Sequence, residues 1–534
     1  MRTSDVGSTP TRGARPDSRT HPDPRARTGA GVAEPALTTT APASRPLYAV
    51  VLAAGAGTRM RSSTPKVLHE IGGRTLLAHA LEAVRTVGAD EVVVVVGHDA
   101  DQVGEHATRA APTVRLALQP EQNGTGHAVQ LALSALAELA PAGAAGAPGL
   151  AGTVVVTMGD VPLLTVETVR ALVADHDGAG RAVSVLTAEV ADPSGYGRIV
   201  RDGAGSLERI VEHKDASPAE LAGKEVNAGI YAFDVAWLGG ALQQVGAANA
   251  QGEIYLTDVI AIARADGLGL DAVALPDVWQ CEGVNDRLQL ARLGAELNRR
   301  TLHRWMRDGV TVVDPASTWV DVSVTLECDV TLAPGVQLHG HTTVAQGALI
   351  GPDTTLTDVA VGAGAQVMRT HGSGSVVAAG ATVGPFAYLR PGTVLGEGGK
   401  IGTFVETKNA AIGPGAKVPH LSYVGDATIG ASTNIGAGTI FANYDGVDKH
   451  TTTVGAHCKT GSDNVFVAPV RIGDGAVTGA GATIRDDVPP GALAVSAGSQ
   501  RIFEGWVADR WPGSAAAAAA AAESAESTPE EGSS

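Results

Sequence analysis

The stretch Ile429-Gly430-Ala431-Ser432-Thr433-Asn434-Ile435-Gly436-Ala437-Gly438-Thr439-Ile440-Phe441 decides the fold of the second half of the chain. A large apolar residue recurs every six positions, and glycine directly follows two of the three. The same step runs outward through Val383, Leu389, Leu395 and Ile401, through Ile412, Val418 and Val424, and through Val454, Thr460, Phe466, Ile472, Thr478 and Ile484. A weaker set, Val324, Val330 and Val336, places the start near residue 313. Hexads of this kind build a parallel β-helix: each forms one short side of a coil, the aliphatic residue points inward, and glycine permits the turn. A disordered glycine-rich segment would not keep so many aliphatic residues in register. The period also explains the composition, because 68 glycines and only 4% aromatics among 534 residues suit a narrow solenoid packed with small side chains.

With 44% hydrophobic residues the chain can bury more than one core. Asp and Glu outnumber Lys and Arg 56 to 39, a net charge of −17, which opposes sequence-independent binding to nucleic acid. One small phosphorylated substrate in a local basic pocket remains compatible. Cys281, Cys328 and Cys458 lie far apart, which argues against a disulfide framework or a cysteine zinc site and for a reducing cytoplasm. No apolar run approaches the roughly 20 residues of a spanning helix, so no membrane insertion is expected, and the N-terminus lacks the apolar core of a secretory signal.

Five stretches follow from these patterns. Residues 1–46, rich in Pro, Arg, Ser and Thr, are expected to be a disordered tail; their prolines and acidic residues interrupt the amphipathic helix of a transit peptide. Residues 47–285 alternate short apolar strands, at 47–53, 91–96 and 153–158, with helical segments. They predict a Rossmann-like α/β domain whose parallel sheet binds ligands at the carboxyl ends of its strands. Residues 286–312 read as a helical linker carrying Leu288, Leu290, Leu293, Leu297, Leu302 and Trp305 among arginines. The β-helix is expected over 313–506, and 507–534, an alanine run followed by Glu, Ser and Gly, as a second disordered tail.

The loop after the first strand reads Leu52-Ala53-Ala54-Gly55-Ala56-Gly57-Thr58-Arg59-Met60, with Pro65-Lys66 beyond it. No Gly-Lys-Ser/Thr closes a Walker loop, and Met60 stands where a dinucleotide fingerprint needs its last glycine. The loop nevertheless offers backbone N–H groups to phosphate, with Arg59 and Lys66 to neutralise charge. Asp160 follows a buried strand, where a carboxylate without a cation would be costly. In the coils, Arg390, Glu406, Lys408 and His420 interrupt the hexads. Arg390 and Lys408 are 18 residues apart, three hexads, and so fall on one side of successive coils.

Further motifs occur in order: Gln119-Pro120-Glu121-Gln122-Asn123-Gly124-Thr125-Gly126-His127, Gly159-Asp160-Val161-Pro162, Gly195-Tyr196-Gly197-Arg198, Val211-Glu212-His213-Lys214, Asn227-Ala228-Gly229 and Glu282-Gly283-Val284-Asn285. The chain resembles the sugar-1-phosphate nucleotidylyltransferases. Over residues 47–506 it resembles the family of bifunctional N-acetylglucosamine-1-phosphate uridyltransferases/glucosamine-1-phosphate N-acetyltransferases, whose solenoid is a left-handed parallel β-helix.

The resemblance implies two reactions: acetyl-CoA acetylates glucosamine-1-phosphate, and UTP then gives UDP-N-acetylglucosamine, a cell-wall precursor, and pyrophosphate. It implies that Leu52, Gly55, Lys66, Gln119, Gly124 and Thr125 meet UTP, with Gln119 and the Gly124-Thr125 backbone on the uracil edge. Gly197, Glu212 and Asn227 would hold N-acetylglucosamine, Asp160 and Asn285 Mg²⁺, and Lys66 and Arg59 the developing phosphoryl charge. At the second site it implies His420 as general base, Arg390 and Lys408 on the sugar phosphate, and Tyr423, Asn434 and Lys449 on the sugar. Asn443 and the Tyr444 backbone would lie at the reacting group and, with Ser462 and Ala480, along acetyl-CoA. Glu406 is expected to support a cationic His420, and His127 and His213 are expected to shape the site structurally. The resemblance further implies a homotrimer. Two departures stand out: Ala497 occupies a position where family members place a basic residue near CoA, leaving Arg485 or Arg501 as substitutes, and Ala56 occupies one where the phosphate loop can carry a basic residue. Two other readings remain, a monofunctional nucleotidylyltransferase whose β-helix serves assembly, and a scaffold without activity.

Overall fold

The structure is a computed structural model that describes residues 45–138, 150–496, 498, 500 and 502–526. The expected N-terminal tail, apart from residues 45 and 46, lies outside the described residues, as do Ala497 and Arg501.

Seven of the nine strands in the sheet of the first domain lie in line: β1 (Leu47–Leu52), β2 (Glu91–Val96), β3 (Arg115–Leu118), β4 (Thr153–Met158), β5 (Val183–Glu189), β6 (Glu225–Asp234) and β7 (Leu270–Ala274). Their order is β7-β5-β6-β4-β1-β2-β3. β1 pairs in parallel with both β2 and β4, and its residues Ala49, Val50 and Val51 are buried, as expected of a strand covered on both faces. The sheet departs from the all-parallel expectation at one strand. β6 runs antiparallel to β4 and β5 because the chain enters it from the hairpin Arg198–Arg201/Leu207–Val211 rather than through a helical crossover.

Helix α1 (Thr125–Ala137) packs Ala128, Val129, Ala132 and Leu136 beneath the sheet. Helix α2 (Arg287–Arg307), capped by the Asp286 carboxylate, is the linker; it buries Leu293 and Leu302 and presents arginines outward. The buried Asn298 clips it to the first coil, donating to the Thr318 carbonyl at 2.8 Å and accepting from the Val320 N–H at 3.0 Å.

From there short parallel strands stack at spacings of 18 residues, as in Trp319↔Gln337 and Gln337↔Thr355, or one or two fewer, as in Leu349↔Gln366 and Thr355↔His371, consistent with the left-handed β-helix. Coiling starts at Thr311–Val312, which already pairs with Thr331–Leu332, two residues ahead of the expected boundary. Ile412, Ile429, Val454 and Ile472 form one inward ladder. The hexad residues Val383, Leu389, Leu395, Ile401, Val418, Val424, Ile435 and Phe441 are all buried in one continuous core. One coil is longer: Ala427 pairs with Thr452 and Ile440 with Val465, each 25 residues on. The extra residues leave the coil as the loop 443–449.

Where a disordered tail is expected after 507, the described residues hold two helices, Trp506–Arg510 and Ala515–Glu526. The nine alanines of the second explain it, since alanine has the highest intrinsic helix propensity. Residues 527–534 lie outside the described residues.

Candidate functional site

At the carboxyl end of the first sheet, β1 and β4 finish side by side, with the Gly159 N–H donating to the Leu52 carbonyl at 2.9 Å. The loop that follows opens a cavity of about 250 Å³ lined by Leu52, Gly55, Lys66, Gln119, Gly124, Thr125 and Asp160. Seven of the residues singled out in the sequence thus meet in one place. Gln122, Met158 and Glu253 line it too. Gln122 belongs to a quoted motif and ties its amide to the Ala54 carbonyl at 3.1 Å, whereas Glu253 carried no sequence signal.

The glycines have different reasons. Gly57 has φ 59°, and a Cβ there would lie 2.5 Å from Lys66 Cβ, so the lysine could not enter the cavity beside a larger residue. At Gly55 an added Cβ would meet no protein atom within 4 Å. Packing does not require that glycine; its bareness leaves the loop backbone open to a ligand.

Both expected metal ligands already hold a cation. The Lys66 ammonium pairs with the Asp160 carboxylate, and Arg59 donates to the Asn285 side-chain oxygen at 2.9 Å. Asp160 and Asn285 are held together by the Val284 N–H donating to the Asp160 carbonyl at 3.0 Å. One carboxylate and one amide oxygen, each facing positive charge, are the hard donors a divalent cation takes. Among the described residues no cluster of three or more His, Cys, Asp or Glu could hold a metal by itself, so the remaining ligands would be phosphate and water.

Gly197, Glu212 and Asn227 stand together beyond the cavity. The Asn227 N–H donates to the Gly197 carbonyl at 2.9 Å, and a Cβ on Gly197 would be 3.5 Å from the Glu212 carboxylate. The buried Tyr231 hydroxyl accepts from the Asn227 amide at 2.6 Å. Burial, reinforced by Asp258, Asp215 and Glu253, pushes the Glu212 carboxyl above the usual range, and Thr257 donates to it at 3.1 Å. His127 contacts Gln119, while His213 leaves a buried Nδ1 without a hydrogen bond.

In the β-helix, His420 closes the strand Lys417–His420, with its side chain exposed. The register Tyr388↔Glu406 and Leu389↔Thr407 brings Arg390 and Lys408 to adjacent coils, as the 18-residue spacing implied. The expectation for Glu406 is corrected: its carboxylate accepts from Arg390 at 3.0 Å, one coil away, and not from His420. The guanidinium offers Glu406 a charge-assisted bond, and the register sets the two side by side.

Asp426, which sequence reasoning missed, joins the cluster. It accepts from Asn409 at 2.9 Å and from Asn443, and lies 3.5 Å from the Lys408 ammonium. Burial pushes its carboxyl up, but these donors outweigh burial and hold it below the usual range. Its only sequence signal is the preceding glycine: a Cβ on Gly425 would sit 2.3 Å from the Tyr423 hydroxyl and 2.7 Å from the Asn443 amide. In the long loop Tyr444 bridges to Lys449, whose amine is held below its usual value by the neighbouring Lys408. Ser462 and Ala480 are exposed on successive coils, where the Gly481 N–H donates to the Ser462 carbonyl at 2.8 Å. Asn434 is exposed and bridges Lys417 and Lys459 through its backbone. Arg485, the described substitute for a basic residue near CoA, is exposed.

An α/β domain with a phosphate loop over a cation-lined cavity, followed by a β-helix with its own polar cluster, defines a nucleotidyltransferase joined to a second catalytic module. The MobA-like NTP transferase domain matches residues 49–220. Proteins described as "Bifunctional protein GlmU" match nearly the whole chain. That of Kineococcus radiotolerans is 58% identical over 92% of this chain and 97% of its own. That of Rhodococcus opacus is 60% identical over 88% and 93%, and that of Micrococcus luteus 55% over 92% and 99%. The chain belongs to the bifunctional GlmU family.

Proposed function

We propose that the chain carries out the last two steps to UDP-N-acetylglucosamine: acetyl transfer from acetyl-CoA to glucosamine-1-phosphate in the β-helix, then uridylyl transfer from UTP in the α/β domain. The observation that carries this reading is the pairing of both phosphate cations with both hard oxygen donors, Lys66 with Asp160 in the lining of the cavity and Arg59 with Asn285.

In uridylyl transfer the sugar phosphate attacks the α-phosphorus of UTP in line and pyrophosphate leaves, so no protein nucleophile is needed. Lys66 and Arg59 exchange their present partners for phosphoryl oxygens, where charge develops. Asp160 and Asn285, released by that exchange, would hold a magnesium ion, which when bound neutralises phosphate charge. Gln119 and the Gly124-Thr125 backbone seat the base, and Gly197, Glu212 and Asn227 the sugar.

In acetyl transfer His420 takes a proton from the glucosamine amine as it attacks the thioester carbonyl; the C–S bond then breaks, and CoA leaves as the thiol with that proton. Arg390 and Lys408 hold the phosphate, Tyr423, Asn434 and Lys449 the sugar, and the Tyr444 N–H the oxyanion. Acetyl-CoA runs past Asn443, Ser462 and Ala480. The runner-up, a β-helix used only for assembly, leaves the cluster of Lys408, Asp426 and Asn443 without a purpose.

The active form is a homotrimer in the cytoplasm. Phe386 and Phe404 stack at 5.4 Å on one exposed corner of the coils, next to exposed Leu421, an apolar stripe that suits a neighbouring copy. No helix among the described residues is long and apolar enough to cross a membrane. The test is an omission assay with glucosamine-1-phosphate, acetyl-CoA, UTP and Mg²⁺, reading free thiol and pyrophosphate, with mass by light scattering. Thiol release without acetyl-dependent pyrophosphate, or neither product, contradicts the two-step reading.

A further inference from the structure

Gln119 is almost wholly buried, and its amide nitrogen has two acceptors: the Gly124 carbonyl at 3.0 Å and His127 Nδ1 at 3.3 Å. Both amide protons are thereby committed. A primary amide has two donors on nitrogen and only acceptors on oxygen. With the nitrogen turned inward, the amide presents its oxygen to the cavity. Turning it over would set Oε1 against the Gly124 carbonyl and, with the His127 proton on Nε2, against a ring nitrogen lone pair, leaving buried groups unpaired.

We propose that His127 is a positioning residue that selects the nucleobase by locking the Gln119 amide. This rests on the reading that Gln119 meets the base. Uracil carries a hydrogen on N3 and donates to Oε1, whereas cytosine has a bare N3 lone pair that repels it. To serve as acceptor, the His127 ring holds its proton on Nε2. The lock distinguishes the two pyrimidines by their N3 and not by their size, and it makes no distinction between uracil and thymine at this edge. A site with fixed buried polar groups rejects a mismatched analogue far more strongly than one shaped by apolar contact.

His127→Phe keeps a ring but removes the acceptor, and His127→Asn restores one as an amide oxygen near the Nδ1 position. The ratio of kcat/KM for UTP to that for CTP is the readout, with acetyl transfer in the same preparation as the control for folded protein. The ratio is expected to fall at least about tenfold in His127→Phe, mainly through better use of CTP, and to recover in His127→Asn. His127→Ala gives the same reading should the larger ring not be accommodated. A ratio within twofold of the parent in the acceptor-free variants overturns the proposal. If instead Gln119→Ala leaves the KM for UTP unchanged, the placement of the base itself is wrong, and that outcome is separable from the first.

Discussion

The Lys66 ammonium and the Asp160 carboxylate form a mostly buried ion pair across the floor of the nucleotide cavity. Each satisfies the other's charge, so neither is left desolvated and alone, which would be costly. In the proposed reaction the lysine would turn to phosphate, and the carboxylate would be free to hold a divalent cation.

Lys66→Ala is therefore expected to cut uridylyl transfer by about 10²–10³-fold, the scale of losing one electrostatic donor to a developing charge. Acetyl transfer should remain at the parental rate, as measured by thiol release. Removing divalent cation with a chelator should produce the same division between the two activities.

His420→Ala should lower kcat for acetylation by about 10²–10⁴-fold, the range for a lost general base. Pyrophosphate release from UTP and supplied N-acetylglucosamine-1-phosphate should be unaffected. A loss smaller than tenfold would remove His420 from the role of base.

Asp426→Asn replaces an obligate acceptor by an amide that can also donate to Asn443 and no longer attracts Lys408. The kcat/KM for glucosamine-1-phosphate is expected to drop about tenfold or more, the worth of a hydrogen bond to a charged group. Combined with Asn443→Ala, the losses should be less than additive, because one contact is broken by either change.

Glu212 gives a prediction with a sign. Burial raises its folded-state pKa above the unfolded value, so the folded chain takes up this proton first as pH falls. Stability from this group is fully present below the unfolded pKa and is lost as pH rises through the folded one. At neutral pH Glu212→Gln should raise Tm by about 1–3 °C in the first domain's transition, while the KM for N-acetylglucosamine-1-phosphate rises. A lower Tm would show that the ionised carboxylate is stabilising.

The β-helix was legible because its period is set by backbone geometry: Ile429, Ile435 and Phe441 are buried where a six-residue step requires. The phosphate loop was legible because glycine and lysine there answer to a ligand. Pairings made by coil stacking were harder to read. Arg390 could reach Glu406 only once register was known, and Asp426 looks in sequence like any polar turn residue. The antiparallel β6 was hidden because a buried strand has the same apolar composition in either direction. The tail helix at Ala515–Glu526 reflects local propensity prevailing over the absence of an apolar face.

The 25-residue spacing between Ala427 and Thr452 has an evolutionary reading. The rungs on either side of the long coil hold their pairing whatever projects between them, so residues can be gained or lost at 443–449 without disturbing the inward ladder. Other coils close in 16, 17 or 18 residues and this one in 25, yet the inward ladder runs on through all of them, so the prism absorbs a change of coil length wherever the gained or lost residues fall at a corner.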